Sequence, residues 1–162
     1  MKQKWPTPLG IGSIEDAWDN APSSPGIYLI NLGKSIHRIE GLDSNGILYV
    51  GKSFNLLSRL RAFWRCYHPA SGFLWDHLKI SNIVLRKTLR TKGDLDDFLG
   101  KLHVKIAKPI SLKDLEKAER AVLYSYILRF GELPPLNFSL PRRWRESPKD
   151  QDLHWGKLWL AQ

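Results

Sequence analysis

Two short apolar segments separated by a strong turn signal constrain the fold of this chain most. Residues Gly26–Leu32 and Ile47–Gly51 are rich in isoleucine, leucine and tyrosine, and each has the length of a strand. Between them, Asp43–Gly46 (Asp-Ser-Asn-Gly) is typical of a turn. The pattern predicts two strands that pair as an antiparallel hairpin, with Ser35–Ile39 as an extension of the strands.

The later part of the chain predicts helices and one further strand. Leu56, Leu60, Phe63 and Trp64 recur at helical spacing, and Ser53 or Asn55 can cap that helix. We also expect a short helix over 73–79, a strand over 102–107, and a long helix over 111–130 that ends at Gly131. Residues 80–101 favour no element.

Length and composition narrow the class of protein. A chain of 162 residues with 43% hydrophobic residues fits one domain with a core, and disorder as the default state is excluded. One cysteine, Cys66, forms no internal disulfide and no cysteine-based zinc or iron–sulfur site, and the five histidines lack zinc-site spacing. No apolar run is long enough for a membrane span or a signal peptide, so we expect a cytoplasmic protein.

The positive charge lies in two stretches. The net charge is +9, and residues 34–68 contribute +4 while residues 79–117 contribute +5. Such an excess predicts a polyanionic partner, and nucleic acid before acidic protein or anionic lipid. The side chains expected to follow a nucleic-acid backbone are Arg61, Arg65, Lys79, Arg86 and Lys87.

Proline and glycine do not cut the chain into separate domains, but we distinguish three regions of it. Residues 1–23 are interpreted as an N-terminal extension, 24–138 as the main domain, and 139–162 as a basic, tryptophan-rich C-terminal appendage. The tryptophans of the appendage favour packing against the domain. Three arginines around Trp144 leave open the alternative that the appendage stacks unpaired bases.

Five motifs occur in a fixed order. They are Gly26-Ile27-Tyr28, then Tyr49-Val50-Gly51-Lys52, Arg59 ten residues beyond Tyr49, Glu119 within the long helix, and Pro134-Pro135-Leu136-Asn137. Together, over residues 24–138, they resemble the GIY-YIG nuclease superfamily, and most of all the nuclease module of the bacterial excision-repair incision subunit. The tripeptide Gly26-Ile27-Tyr28 alone would be weak support for this resemblance, whereas five motifs in the same order are more specific.

The resemblance implies a fold and an activity. The fold is a small α/β (α+β) domain with a three-stranded antiparallel sheet flanked by helices. The activity is cleavage of DNA phosphodiester bonds with one Mg²⁺ or Mn²⁺, and the form of DNA, such as branched or damaged, stays open. The implied site residues are Tyr28, Tyr49, Arg59, Glu119 and Asn137, supported by Gly26, Gly51 and Lys52.

The chemistry of these side chains suits that reaction. The planar guanidinium of Arg59 can donate two hydrogen bonds to a phosphate, and the Glu119 carboxylate is a ligand that Mg²⁺ prefers. A tyrosine needs a nearby cation to act as a base, because a free phenol has a pKa near 10. Glu116, one turn before Glu119, is the rival metal ligand.

One position departs from the pattern of the superfamily. Relatives place a histidine or tyrosine one helical turn after the arginine, and this chain has Phe63 there. His68, Tyr67 and His37 are the substitutes nearby. Phe63 leaves open a nucleic-acid-binding module that has lost catalysis, and the C-terminal tryptophans leave open a protein-interaction domain.

Overall fold

The structure is a computed structural model that describes residues 9–13, 16, 19–67, 97, 98, 100–107, 112–137 and 148–161, with the backbone alone at 9–11 and 63–67. The strands are β1 (Leu9–Ser13), β2 (Gly26–Asn31), β3 (Ile36–His37), β4 (Leu42–Asp43), β5 (Ile47–Ser53) and β6 (His103–Ala107). The helices are α1 (Leu56–Tyr67), α2 (Leu112–Phe130) and α3 (Asp150–Ala161). The mixed α/β class agrees with the expectation from sequence.

The central sheet has the order β1-β6-β2-β5, and all neighbours are antiparallel. The predicted hairpin is confirmed, because β2 pairs with β5 and Tyr28 lies opposite Gly51. The expected three strands are therefore present, but the sheet has a fourth. It is β1, which lies within the segment 1–23 interpreted as an extension. The pair β3–β4 forms a separate two-stranded sheet within the hairpin connection.

The two faces of the sheet carry separate apolar clusters, because side chains alternate along each strand. Tyr28 and Ile30 of β2 pack with Leu56 and Leu60 of α1. Residues on the other face pack with α2 and α3, among them Ile27 and Leu29 of β2 and Leu115, Val122 and Tyr126 of α2. Helix α1 therefore covers one face, and the two later helices cover the other.

Helix α3 is part of the core. Trp155 and Trp159 are buried and stack with 5.5 Å between ring centroids. Gly156 brings α3 close to α2, since a Cβ atom there would lie 2.5 Å from the backbone oxygen of Ala121. The expected packing of the appendage is thus confirmed for these two tryptophans, whereas Trp144 lies outside the described residues.

A buried aspartate holds the hairpin turn. The Asp43 carboxylate accepts hydrogen bonds from the backbone N–H groups of Asn45, Gly46 and Ile47, and from the Tyr126 hydroxyl of α2 at 2.9 Å. Burial, followed by the charge of Asp43, raises the pKa of Tyr126. The turn is therefore fixed to α2, and it sets the position at which β5 begins.

Among the described residues, no helix is both long and apolar enough to cross a bilayer. The short helix expected over 73–79 and the unassigned segment 80–96 lie outside those residues.

We expect Trp159→Ala to lower the free energy of unfolding by about 3–5 kcal/mol, since the indole is fully buried between α3 and α2. Leu158→Ala is the matched control, because Leu158 is adjacent on α3 and half exposed. It should cost about 1 kcal/mol or less. Urea denaturation of both variants measures the difference, and equal losses would show that α3 does not belong to the cooperative core.

Candidate functional site

Three predicted residues meet on the face that α1 covers. The Nε atom of Arg59 donates a hydrogen bond to the Tyr28 hydroxyl at 3.0 Å. The rings of Tyr28 and Tyr49 lie 5.8 Å apart, and the Tyr49 hydroxyl bonds with both Tyr28 and Arg59. We call Tyr28, Tyr49 and Arg59 the tyrosine–arginine cluster.

The cluster depends on the missing side chain of Gly51. A Cβ atom at Gly51 would lie 2.6 Å from both Tyr28 Cζ and Tyr49 Cε1, which is too close for any real contact. Since Gly51 is the direct cross-strand partner of Tyr28, the glycine leaves the space in which the two phenols meet. The packing of the two tyrosine rings therefore requires glycine at position 51, in the second motif.

The members of the cluster differ in what they can do. Tyr28 is completely buried, and burial, reinforced by Tyr49, raises the pKa of its phenol despite the Arg59 charge. The nearby cation expected from sequence is therefore present, but Tyr28 remains a protonated phenol that positions Arg59. Tyr49 is half-buried and Arg59 is exposed, so these two side chains are the ones a ligand can reach. The electrostatic interaction of Arg59 with the Tyr28 oxygen, together with their hydrogen bond, raises the pKa of Arg59, and partial burial acts in the opposite direction.

Glu119 forms an ion pair with Lys52, with 2.9 Å between Lys52 Nζ and Glu119 Oε2. The side chains are 33% and 13% exposed, respectively. Burial raises the pKa of Glu119, and the hydrogen bond and charge of Lys52 act in the opposite direction. Glu116, the rival from sequence, is exposed and contributes a repulsive charge.

The ion pair and the cluster belong to opposite faces of the sheet. Lys52 lies opposite Ile27, whose side chain packs with α2, whereas Gly51 lies opposite Tyr28 on the side of α1. Both groups nevertheless flank the same end of β5, which is an edge strand.

Asn137 covers part of the free edge of β5. Its side-chain amide accepts from the Val50 N–H at 2.9 Å and donates to the Val50 oxygen at 2.8 Å, while Leu136 N–H donates to Leu48 oxygen. In this structure the predicted site residue Asn137 fixes the edge strand. Gly26, the other glycine, allows close packing, since a Cβ there would collide with Leu56 and Ala107.

The carboxylate expected to bind a divalent cation, that of Glu119, has the Lys52 ammonium beside it. Glu119 offers a carboxylate, and Mg²⁺ retains several waters, so one carboxylate can suffice. Lys52 Nζ contacts Oε2 of Glu119. A cation at Glu119 would therefore bind Oε1, or would bind Oε2 after the Lys52 ammonium has moved. Within the described part of the chain, no three histidine, cysteine, aspartate or glutamate side chains form a metal-binding group.

Several predicted residues lie outside the described part of the chain. They are His68, Lys79, Arg86 and Lys87, and the side chains of Phe63 and Arg65. Arg61 is described, and it is half-buried on α1, one turn before Arg65. Sequence reasoning did not single out Phe54, which is exposed. Its position, an aromatic residue between the end of a strand and the cap of a helix, is the pattern that could have identified it.

Comparison with known proteins adds no family to this geometry. No protein-family description, curated protein or solved structure matches the chain. The site is therefore interpreted from its own residues and from the resemblance of their order.

We expect Gly51→Ala to separate the two tyrosines, because the added methyl group occupies the contact between their rings. Overpacking of this kind costs about 1–3 kcal/mol of unfolding free energy. Ser58→Ala, at an exposed position of α1, is the control and should change the unfolding free energy by about 0.5 kcal/mol or less. A crystal structure of Gly51→Ala in which the Arg59–Tyr28 bond remains at 3.0 Å would contradict the packing role of Gly51.

We expect Lys52→Gln to raise the pKa of Glu119 further, because burial then acts without the neighbouring ammonium. Carbon-13 NMR titration of the Glu119 carboxyl measures the midpoint in both proteins. Lys101→Gln, in the exposed turn before β6, is the control for total charge. An unchanged or lower midpoint in Lys52→Gln would mean that the ion pair does not form in solution.

Proposed function

We propose that this protein is a metal-dependent endonuclease of GIY-YIG type that hydrolyses DNA phosphodiester bonds. The observation that carries the proposal is the contact among Tyr28, Tyr49 and Arg59 across Gly51. The three residues belong to three separate motifs of the chain, and the order of those motifs predicts one site for them. The net charge of +9 favours a polyanionic substrate.

Arg59 binds the phosphate in this proposal. Its guanidinium is exposed, and the contacts with Tyr28 and Tyr49 use only part of its five N–H groups, so N–H groups of the terminal nitrogens remain for a ligand. A fixed fork of this kind binds two phosphate oxygens and stabilises the charge that develops on them during attack. Tyr28 is a positioning residue, since it holds Arg59 without contacting the ligand.

Tyr49 handles the proton of the attacking water. It is the half-buried member of the tyrosine–arginine cluster, and its hydroxyl lies in the hydrogen-bond chain that ends at Arg59. Glu119 would hold the metal ion, with Lys52 beside it. A bound Mg²⁺ would supply a water of lowered pKa and positive charge next to the phosphate.

Plasmid nicking tests the proposal. We expect Glu119→Gln and Arg59→Ala each to reduce the nicking rate about 100-fold or more, because each removes a group that stabilises the transition state. Glu116→Gln is the matched control, since Glu116 lies on the same helix one turn earlier and is exposed; it should nick like wild type. Nicking that survives Glu119→Gln would overturn the assignment of the metal ligand.

A second function has a specific observation in its favour. Because the Lys52–Glu119 ion pair lies on the α2 face, away from the tyrosine–arginine cluster, the chain has the features of a nucleic-acid-binding module without catalysis. Salt-sensitive DNA binding with no cleavage in Mg²⁺ or Mn²⁺ would support this alternative. A gain of nicking in Phe63→His would then identify that position as the defect.

The third hypothesis from sequence, a docking surface built from C-terminal tryptophans, loses its main support. Trp155 and Trp159 are buried in the core and are not available to a partner.

A further inference from the structure

An exposed phenylalanine lies beside the candidate site. Phe54 is 74% exposed and occupies the link between β5 and α1. It directly precedes Asn55, and it lies two residues after Lys52 and five before Arg59 in the sequence. A single exposed apolar side chain is common on a protein surface, so what distinguishes Phe54 is its place at the start of α1, near Arg59.

The backbone around Phe54 is fixed on both sides. The Ser53 hydroxyl donates to the Asn55 oxygen at 2.7 Å and accepts from the Asn55 N–H at 3.1 Å. The Asn55 side chain caps α1 by accepting from the Ser58 N–H at 2.9 Å, and the Leu56 N–H donates to the oxygen of Ser24. The ring is therefore presented to solvent from a rigid turn.

The same hydrogen bonds exclude one other way in which the start of α1 could bind a phosphate, namely through free backbone N–H groups. The first N–H groups of a helix often bind phosphate, but here those of Leu56, Leu57, Ser58 and Arg59 already have protein acceptors. The start of α1 therefore offers a ligand the ring of Phe54 and the side chain of Arg59, and no free backbone donors.

An exposed aromatic ring beside an exposed arginine has the features of a surface for single-stranded nucleic acid. Aromatic rings stack on bases of any sequence, and neighbouring cations bind the phosphates that connect those bases. In an intact duplex the bases stack on one another and are not accessible to such a ring. Phe54 directly precedes Asn55, the capping residue of α1, and Arg59 is the fourth residue of that helix. Side chains at these two positions of a helix start are neighbours, so a phosphate bound by Arg59 has the aromatic ring within reach of its base.

We propose that Phe54 stacks on an unpaired base, and that the substrates of this site are nucleic acids with unpaired nucleotides next to the bound phosphate. This rests on the proposed function, since Arg59 must bind the phosphate for the base to lie near Phe54. The proposal narrows the substrate class from DNA in general to single-stranded, flapped or otherwise distorted strands.

Ile39 provides a matched control. It is also 74% exposed, but it lies in the connection between β3 and β4, near the end of α2. That connection is close to the start of β5, whereas Phe54 follows its end, and a seven-residue strand separates the two by about 20 Å. Phe54→Ala and Ile39→Ala therefore remove equally exposed apolar side chains, and only Phe54→Ala does so at the candidate site.

The test is fluorescence anisotropy with a labelled single-stranded oligonucleotide and a duplex of the same sequence, in EDTA to prevent cleavage. We expect Phe54→Ala to bind the single strand about 5- to 100-fold more weakly, because stacking on one base contributes that much, and to bind the duplex like wild type. Phe54→Trp should restore binding, and Ile39→Ala should have no effect. Far-UV circular dichroism checks that all variants are folded.

The outcomes separate the two proposals. If Arg59→Ala weakens binding of both probes while Phe54→Ala changes neither, the stacking role is wrong and the phosphate site stands. An equal loss on single strand and duplex in Phe54→Ala also overturns the stacking role. If wild-type protein shows no salt-sensitive binding to either probe, the proposed function itself fails, and the inference fails with it.

Discussion

The absence of a side chain at Gly51 is the constraint on which the candidate site depends. In an antiparallel pair, directly opposed residues share a face and lie about 5 Å apart, so any side chain at position 51 would displace Tyr28. With glycine there, the Tyr28 and Tyr49 rings approach each other, and the Tyr28 hydroxyl can bond to Arg59. The bond connects the central sheet to α1 and fixes the direction of the guanidinium.

The organisation of the site across two faces follows from the alternation of β5. Tyr49 and Gly51 share the α1 side with Arg59, while Lys52 points toward α2 and meets Glu119. Asn137 binds the edge of β5 at Val50, just before the residues that join the two groups. The functional proposal therefore requires one ligand that contacts both faces around the end of an edge strand, which an extended phosphate backbone can do.

The sequence predicted the hairpin and the helices α1 and α2 that pack on it, because apolar periodicity and turn residues encode these locally. Helix α3 was not predicted, since residues 139–162 were interpreted only as an appendage. The order of motifs in the sequence also brought Tyr28 and Arg59 together. Strand β1 was missed because its sequence, Leu-Gly-Ile-Gly-Ser, has low strand propensity and is paired only by the distant β6. The alternation of side chains along β5 could have indicated that Lys52 points away from α1. The burial of Glu119, in contrast, depends on the packing of α2 against distant residues, which no local sequence pattern contains.

A crystal structure with a short, partly single-stranded DNA and a non-cleaving divalent cation such as Ca²⁺ tests the central claim most directly. The quantity to measure is the distance from one phosphate to the Arg59 guanidinium and to the Glu119 carboxylate. We expect the same phosphate to contact Arg59 and to share a cation with Glu119 around the end of β5. A phosphate bound by Arg59 while Glu119 stays paired with Lys52, with no cation between them, would contradict the nuclease and leave a binding module.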